Sequence, residues 1–167
     1  MKRLLLTMMM LSSVQALAQA EDFAKLQEFE RHINSRFEYL KSRTALCMKG
    51  DKRLPLAIMK VGTITVQVRN ILANAQAALK CKSNAGPECE DPELVDAEKK
   101  LNDLIQVQMT PGAKNYEIAY ELYSPEKCGG DPQYKKYLDE VVTISKQYSD
   151  EYYRLKGARP QMITPGT

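Results

Sequence analysis

Four cysteines are the residues of this chain whose chemistry the sequence defines best. Cysteine thiols form disulfides, bind metals or carry out redox exchange. Metal and redox sites need close spacings such as C-x-x-C. The chain has no such motif and only one histidine, His32. An even number of widely spaced cysteines is typical of an exported protein. We therefore predict two disulfides, formed by Cys47, Cys81, Cys89 and Cys128.

The remaining residues show no pattern that is typical of a catalytic site. His32 falls on the polar side of its predicted helix, with no acid or nucleophile spaced to converge on it. Glu30 lies near the apolar side, either as a buried acid or as an edge residue. Neither a G-x-S-x-G elbow nor a phosphate-binding glycine loop is present. We predict no catalytic residue, metal or cofactor, although a b-type haem remains an alternative if His32 turns inward.

Tyrosine dominates the aromatic residues, with nine tyrosines, three phenylalanines and no tryptophan. A tyrosine ring packs against apolar groups while its hydroxyl seeks water or a partner, so tyrosine is favoured at recognition surfaces. Five tyrosines flank the turn at Cys128, and we predict that they face one another as a tyrosine seam. This seam is either a groove for sugars or peptides, or a helix–helix interface. Its members are Tyr116, Tyr120, Tyr123, Tyr134 and Tyr137.

A second candidate surface is a cluster of cations near residue 50, called here the basic end. It is either a site that steers an anionic partner or a solvated pair of helix ends. The partner we predict is an anionic protein or an envelope component. The cations assigned to the basic end are Arg43, Lys49, Lys52 and Arg53.

Residues 1–20 have the organisation of a signal peptide. Lys2 and Arg3 precede a short apolar run, and small residues allow cleavage after Ala18 or Ala20. The run is too short for a membrane span, and no cysteine offers a lipoprotein anchor. Cleavage removes the two charges of Lys2 and Arg3 and no acidic residue, so it lowers the net charge from +3 to +1. We predict a periplasmic or secreted protein with no membrane span and no nucleic-acid partner.

Hydrophobic periodicity predicts that helices position these residues. From Glu21 to about Met48, apolar residues recur every seven positions. Between Leu54 and Lys80, the β-branched run Val61–Val68 favours a strand locally. The apolar positions nevertheless alternate in steps of four and three over 25 residues, which only a helix sustains. We therefore predict a second helix about 40 Å long.

Two Asp-Pro pairs predict the starts of the remaining helices, since aspartate caps an N-terminus and proline suits its first turn. The third helix begins after Asp91 and breaks at Thr110–Gly112, and the fourth runs from Asp131 to about Lys156. The predicted fold is all-α, an up-and-down four-helix bundle with a broken third helix. The bundle spans residues 21–157, and residues 158–167 form a flexible tail.

The bundle order selects one of the three possible disulfide pairings. Cys47 and Cys128 lie in the first and third junctions, at one end, whereas Cys81 and Cys89 share the second junction at the other. A disulfide requires Cα atoms within about 7 Å, so it cannot cross the length of the second helix. We predict Cys47–Cys128 and Cys81–Cys89.

These observations predict a non-enzymatic binding protein, such as an adaptor, an inhibitor or an envelope factor. The alternatives are a small periplasmic enzyme with an unrecognised carboxylate and tyrosine site, and a cofactor carrier. The sequence leaves the oligomeric state and the identity of the partner open.

Overall fold

The computed structural model describes residues 2–47, 53–80, 91–121 and 131–157. Within these residues every regular element is helical and none is a β-strand, which confirms the all-α class. Thr63–Val68 is helical, so the long apolar periodicity outweighs local β propensity. The elements are α1 Lys2–Cys47, α2 Arg53–Lys80, α3 Pro92–Asp103, a π-helical segment Leu104–Gln108, α4 Lys114–Glu121 and α5 Pro132–Lys156.

Both Asp-Pro pairs begin helices as predicted. The Asp91 carboxylate accepts a hydrogen bond from the backbone N–H of Glu93 at 2.9 Å, which caps α3. Asp131 caps α5 in the same way through Gln133 at 3.0 Å. Gly157 ends α5 in the left-handed conformation, at φ 71°, which glycine adopts without strain.

The predicted break between α3 and α4 is present, and it begins earlier than Thr110. The π-helical segment follows Asp103 directly, and the backbone N–H of Met109 bonds to the carbonyl of Leu104 at 2.8 Å. This widened turn buries the Met109 side chain in the core. Gly112 has φ +89°, a conformation that other residues rarely adopt, so the chain turns there before α4.

Polar contacts show that α5 is antiparallel both to α1 and to the α3–α4 pair. Along α1 and α5 the contacts run in opposite order, as Lys25 with Glu151, Arg36 with Glu140 and Tyr39 with Asp131. Along α3–α4 and α5 the order is Glu98 with Lys156, Asn102 with Ser149 and Tyr116 with Asp139. α5 therefore packs against α1 with one edge and against the α3–α4 pair with another.

α1 and α2 are also antiparallel, and a glycine lets them approach closely. Arg69 Nε lies 3.4 Å from Glu30 Oε1, and Phe37 lies against Gly62. A Cβ atom at Gly62 would stand 2.9 Å from the Phe37 ring, closer than packed atoms come. Glu30 is thus a half-buried edge residue paired across the α1–α2 contact.

The core lies where these helices meet. The seven-residue repeat of α1 is confirmed for Leu26, Ile33 and Leu40, which are fully buried. α2 packs against α1, α3, α4 and α5. Its buried residues include Leu54, Ile58, Val61, Ile64, Val68, Ile71 and Ala75.

Candidate functional site

A groove of about 650 Å³ runs between α4 and α5 and collects polar and aromatic side chains. We call it the α4–α5 groove. It is open to solvent along its length, and its lining combines two tyrosine rings, two lysines and three carboxylates. The lining residues are Pro111, Tyr116, Glu117, Tyr120, Lys135, Asp139, Val142, Thr143, Lys146, Gln147 and Asp150.

Helical spacing brings these side chains to one place. On α5 the groove residues recur at intervals of three and four, which puts them on one edge of the helix. They are Lys135, Asp139, Val142, Lys146 and Asp150. On α4, Tyr116 and Tyr120 are one turn apart, so their rings stand side by side over the α5 edge.

The two rings and the α5 side chains hold one another in position. The Tyr116 and Tyr120 rings stack with centroids 6.0 Å apart and an interplanar angle of 21°. The Lys135 ammonium lies 4.7 Å from the centroid of the Tyr120 ring, within the range of a cation–π contact. The Tyr116 hydroxyl donates a hydrogen bond to the Asp139 carboxylate. The backbone N–H of Gly112 donates to Glu117 at 2.8 Å.

Two groups in the groove, Tyr116 and Lys135, have pKa values shifted further from neutrality. Burial, together with the hydrogen bond to Asp139, raises the pKa of the Tyr116 hydroxyl well above 10. A hydrogen bond with Tyr120 raises the pKa of Lys135. Tyr116 therefore stays protonated and Lys135 stays charged over the physiological range. Lys135 therefore offers a partner a permanent positive charge, and Tyr116 offers a phenol that stays protonated and hydrogen-bonded.

The predicted tyrosine seam is distributed over two edges of α5. Tyr116 and Tyr120 line the α4–α5 groove, whereas Tyr134 and Tyr137 contact α1. The Tyr134 hydroxyl is buried 3.2 Å from Thr44 Oγ1, and the Tyr137 ring meets Tyr39 edge-on at 4.9 Å. Tyr123, the fifth member, lies outside the described residues.

Half of the basic end can be located in the structure. The Arg43 guanidinium lies 3.3 Å from the Asp131 carboxylate and 5.2 Å from the Tyr39 ring centroid, so a neighbouring acid offsets its charge. Arg53 is exposed at the start of α2. Lys49 and Lys52 lie outside the described residues.

A buried polar cluster between α3 and α5 was missed by the sequence analysis. Glu98 is 7% exposed and accepts hydrogen bonds from Tyr152 at 2.6 Å and from Lys156 at 2.7 Å. Asn102 donates to the Tyr153 hydroxyl at 3.0 Å and accepts from Ser149 at 3.0 Å. The spacing of Glu98 and Asn102 could have predicted the cluster, because the two residues are one turn apart and lie beside the apolar positions of α3.

Tyrosine hydroxyls in this cluster are also held protonated. Burial and the hydrogen bond to Glu98 raise the pKa of Tyr152 far above 10. Burial raises the pKa of Tyr153 to about 12. With its donors and acceptors paired, the cluster resembles a structural network that sets how α3 packs on α5.

Comparison of the chain with protein-family models, curated proteins and solved structures found no match.

Metal and cofactor chemistry gains no support from the described residues. Among them, no group of three or more histidine, cysteine, aspartate or glutamate side chains is arranged to hold a metal ion. His32 is exposed on α1, on the polar side predicted from the sequence. Cys81, Cys89 and Cys128, and the side chain of Cys47, lie outside the described residues, so the disulfides remain predictions.

Within the part of the chain that the structure describes, one helix has the length and composition of a membrane span. The Arg53–Ala75 part of α2 has a mean hydropathy of 1.2, and 44% of the window concerned is buried within the protein. Core helices of water-soluble proteins meet the same criterion. The absence of a membrane span therefore stays a prediction.

Proposed function

We propose that this chain is an exported, non-enzymatic binding protein that acts in the cell envelope or outside the cell. In this proposal its scaffold is an up-and-down four-helix bundle, closed at its two ends by the disulfides Cys47–Cys128 and Cys81–Cys89. The α4–α5 groove is its partner-binding surface. The antiparallel order of the described helices and the signal-like composition of residues 1–20 support the scaffold and the export.

The observation that carries the proposal is the geometry of the α4–α5 groove, where the stacked Tyr116 and Tyr120 rings stand beside the Lys135 ammonium. Acid–base catalysis works best when a group titrates near the operating pH. The pKa values of Tyr116 and Lys135 both move away from that range. A protonated phenol, a partly exposed ring and a cation suit recognition instead, since they present the same groups at every physiological pH.

The two lysines of the groove, Lys135 and Lys146, would pair with an anionic group of a partner. Glu117 and Asp139 accept hydrogen bonds within the protein but keep their negative charge, so the attraction is local to the lysines and does not come from the net charge of the groove. The Tyr120 ring supplies a flat face against which a peptide or sugar packs. We therefore propose an anionic protein or envelope component that inserts an extended segment between α4 and α5.

An enzyme using a carboxylate and a tyrosine is the second candidate, because Tyr116 and Asp139 form such a pair in the groove. If Tyr116 acted as a base or nucleophile, its hydroxyl would have to lose its proton near neutral pH. The raised pKa of Tyr116 opposes this, so binding is the better-supported function. Visible absorbance of the purified protein would instead indicate the third candidate, a cofactor carrier.

The experiment is a comparison of matched variants against a partner captured from envelope extract. We expect Tyr120→Ala to weaken binding by about 2 kcal/mol, roughly 30-fold, mainly through faster dissociation, as for a packed aromatic anchor. Lys135→Ala should mainly slow association and reduce the dependence of affinity on salt. Lys99→Ala, at an exposed lysine of α3 outside the groove, is the control.

Charge reversal at the basic end separates the two candidate surfaces. If Lys52→Glu and Arg53→Glu weaken binding while Tyr120→Ala does not, the basic end is the site and the groove proposal is wrong. If none of these variants changes the affinity, the partner uses neither surface.

A further inference from the structure

The outward face of α2 carries a long uncharged stripe. Leu56, Met59 and Val66 are 61%, 65% and 49% exposed, which is unusual for large apolar side chains. Three smaller exposed residues continue the same line. We call the set the α2 stripe: Leu56, Met59, Thr63, Val66, Asn70 and Ala73. At 1.5 Å per residue it is about 26 Å long.

Other helices carry charges at the corresponding exposed positions. The outward face of α1 includes Lys25, Glu28, Arg31, Glu38 and Lys41, and that of α5 includes Lys135, Lys136, Asp150 and Arg154. Exposed apolar residues in a contiguous row, with no charge among them, mark an interaction surface more often than scattered ones do. The α2 stripe is such a row.

The spacing of the stripe is that of a helix–helix contact. Its members alternate in steps of three and four, the repeat by which one helix packs along another. Thr63 and Asn70 stand within it, and these polar groups are better matched by another helix than by lipid chains. The inner face of α2 has its own buried repeat, so the stripe is additional to what the core needs.

The stripe is complementary to itself when two copies meet antiparallel. With the two-fold axis between Ile64 and Thr65, large residues face smaller ones at each level. The facing pairs are Leu56 with Ala73, Met59 with Asn70 and Thr63 with Val66, each counted twice by symmetry. A two-fold interface of this kind uses the same surface on both subunits.

Charges at the edges of the stripe are compatible with this register. Between Asp51 and Glu88 the chain has no acidic residue, so the cations of α2 have no acid on the facing helix. Lys60 and Arg69 lie on opposite edges of the α2 stripe, and a two-fold axis places each edge beside the same edge of the other copy, so Lys60 does not meet Arg69 although the two are at the same level. No cation meets a like charge. Arg69 also keeps its contacts with Glu30 and Asn34 on α1.

We propose that a second copy of this chain covers the α2 stripe, in an antiparallel α2–α2 contact. The exposed apolar side chains and their polar neighbours would bury on the order of 1,000 Å² in total, near the lower limit for specific interfaces. The dimer is therefore weak and reversible, with a dissociation constant in the micromolar range. The stripe shares no residue with the α4–α5 groove, so the dimer leaves the groove open.

Sedimentation velocity over a concentration series tests the dimer, using the chain recovered after export. The wild-type protein should shift from monomer to dimer across the micromolar range. Met59→Glu and Val66→Glu should each weaken the dimer at least 100-fold, because each puts two carboxylates into the apolar contact. Both positions are exposed, so the far-UV circular dichroism spectrum should stay unchanged, as should the thermal midpoint at a concentration where the wild type is monomeric.

Val95→Glu is the matched control, since Val95 is 45% exposed on α3 and lies outside the stripe. It should dimerise like the wild type. A photo-crosslinking residue at position 56 should label the other copy around Ala73. Labelling around Leu56 itself would contradict the antiparallel register. A wild-type protein that stays monomeric at several hundred micromolar, or that binds phosphatidylglycerol vesicles through Met59 as a monomer, would overturn the proposal.

Discussion

Removing the Tyr152 hydroxyl tests whether the cluster around Glu98 stabilises the fold as the contacts indicate. Tyr152 is 1% exposed, and its hydroxyl donates to Glu98 Oε1 at 2.6 Å. Tyr152→Phe removes one hydrogen bond to a carboxylate and little volume. Bonds to charged groups contribute about 1.5–3 kcal/mol. Because Lys156 still contacts both Glu98 oxygens, we expect a loss of about 2 kcal/mol.

Tyr148→Phe is the matched control for this change. Tyr148 is fully buried on the same helix, but its hydroxyl donates to a neutral acceptor, the backbone carbonyl of Val68, at 3.1 Å. A bond between neutral groups contributes about 1 kcal/mol, so this variant should lose roughly half as much stability as Tyr152→Phe. The difference isolates the contribution of the carboxylate.

Urea unfolding followed by circular dichroism is the suitable assay, since the chain has no tryptophan. With a slope of about 2 kcal/mol per molar urea, Tyr152→Phe should lower the midpoint by about 1 M and Tyr148→Phe by about 0.5 M. Equal losses in the two variants, or a loss below about 0.5 kcal/mol for Tyr152→Phe, would refute the importance of the Glu98 contact.

Three further predictions concern acid stability, disulfide pairing and cleavage of the signal peptide. Glu151 pairs with Arg154 and Lys25, and chiefly the Arg154 hydrogen bond lowers the pKa of Glu151 to about 2. The stability that this pairing contributes is present above pH 4.5 and disappears as the pH falls towards 2. Between pH 5 and pH 2 the wild type should therefore lose about 1–2 kcal/mol more than Glu151→Gln, allowing for its solvent-exposed partners; equal losses would contradict the assignment. Non-reducing peptide mapping should give two cross-linked pairs, Cys47 with Cys128 and Cys81 with Cys89, and a Cys47–Cys81 peptide would refute the bundle order. Mass analysis of the exported chain should place its N-terminus at Gln19 or Glu21, and retention of Met1 would contradict export by a cleaved signal peptide.

The helices were predictable because their signals are local or strongly periodic. The repeat Leu26, Ile33 and Leu40 needs only a helix with one buried side. Each Asp-Pro pair supplies both the capping carboxylate and the residue that needs no backbone donor. The start of the break before α4 was not predictable from Pro111 alone, since the π-helical segment depends on burying Met109.

Side-chain partners were harder to predict because they depend on which helix covers which edge. Gln67 is buried, although glutamine is usually exposed, since α2 contacts four other helices. Tyr137 was expected to face α4. It lies three residues after Tyr134, on the edge of α5 that meets α1, whereas Lys135 and Asp139 lie on the edge that meets α4. Sequence periodicity gives the position of a side chain around its helix axis. It does not say which other helix packs against that position.

Site-specific photo-crosslinking in intact cells tests most directly the claim that the α4–α5 groove is a partner-binding surface. Thr143 is exposed on the groove edge of α5, and a photo-crosslinking residue there changes no hydrogen bond described for the site. A crosslinker at Lys99 on α3 is the control. We predict that position 143 gives one discrete adduct with an envelope or secreted component, that Tyr120→Ala abolishes it, and that position 99 gives none. Equal labelling from both positions, or an adduct that survives Tyr120→Ala, would contradict the assignment of the groove.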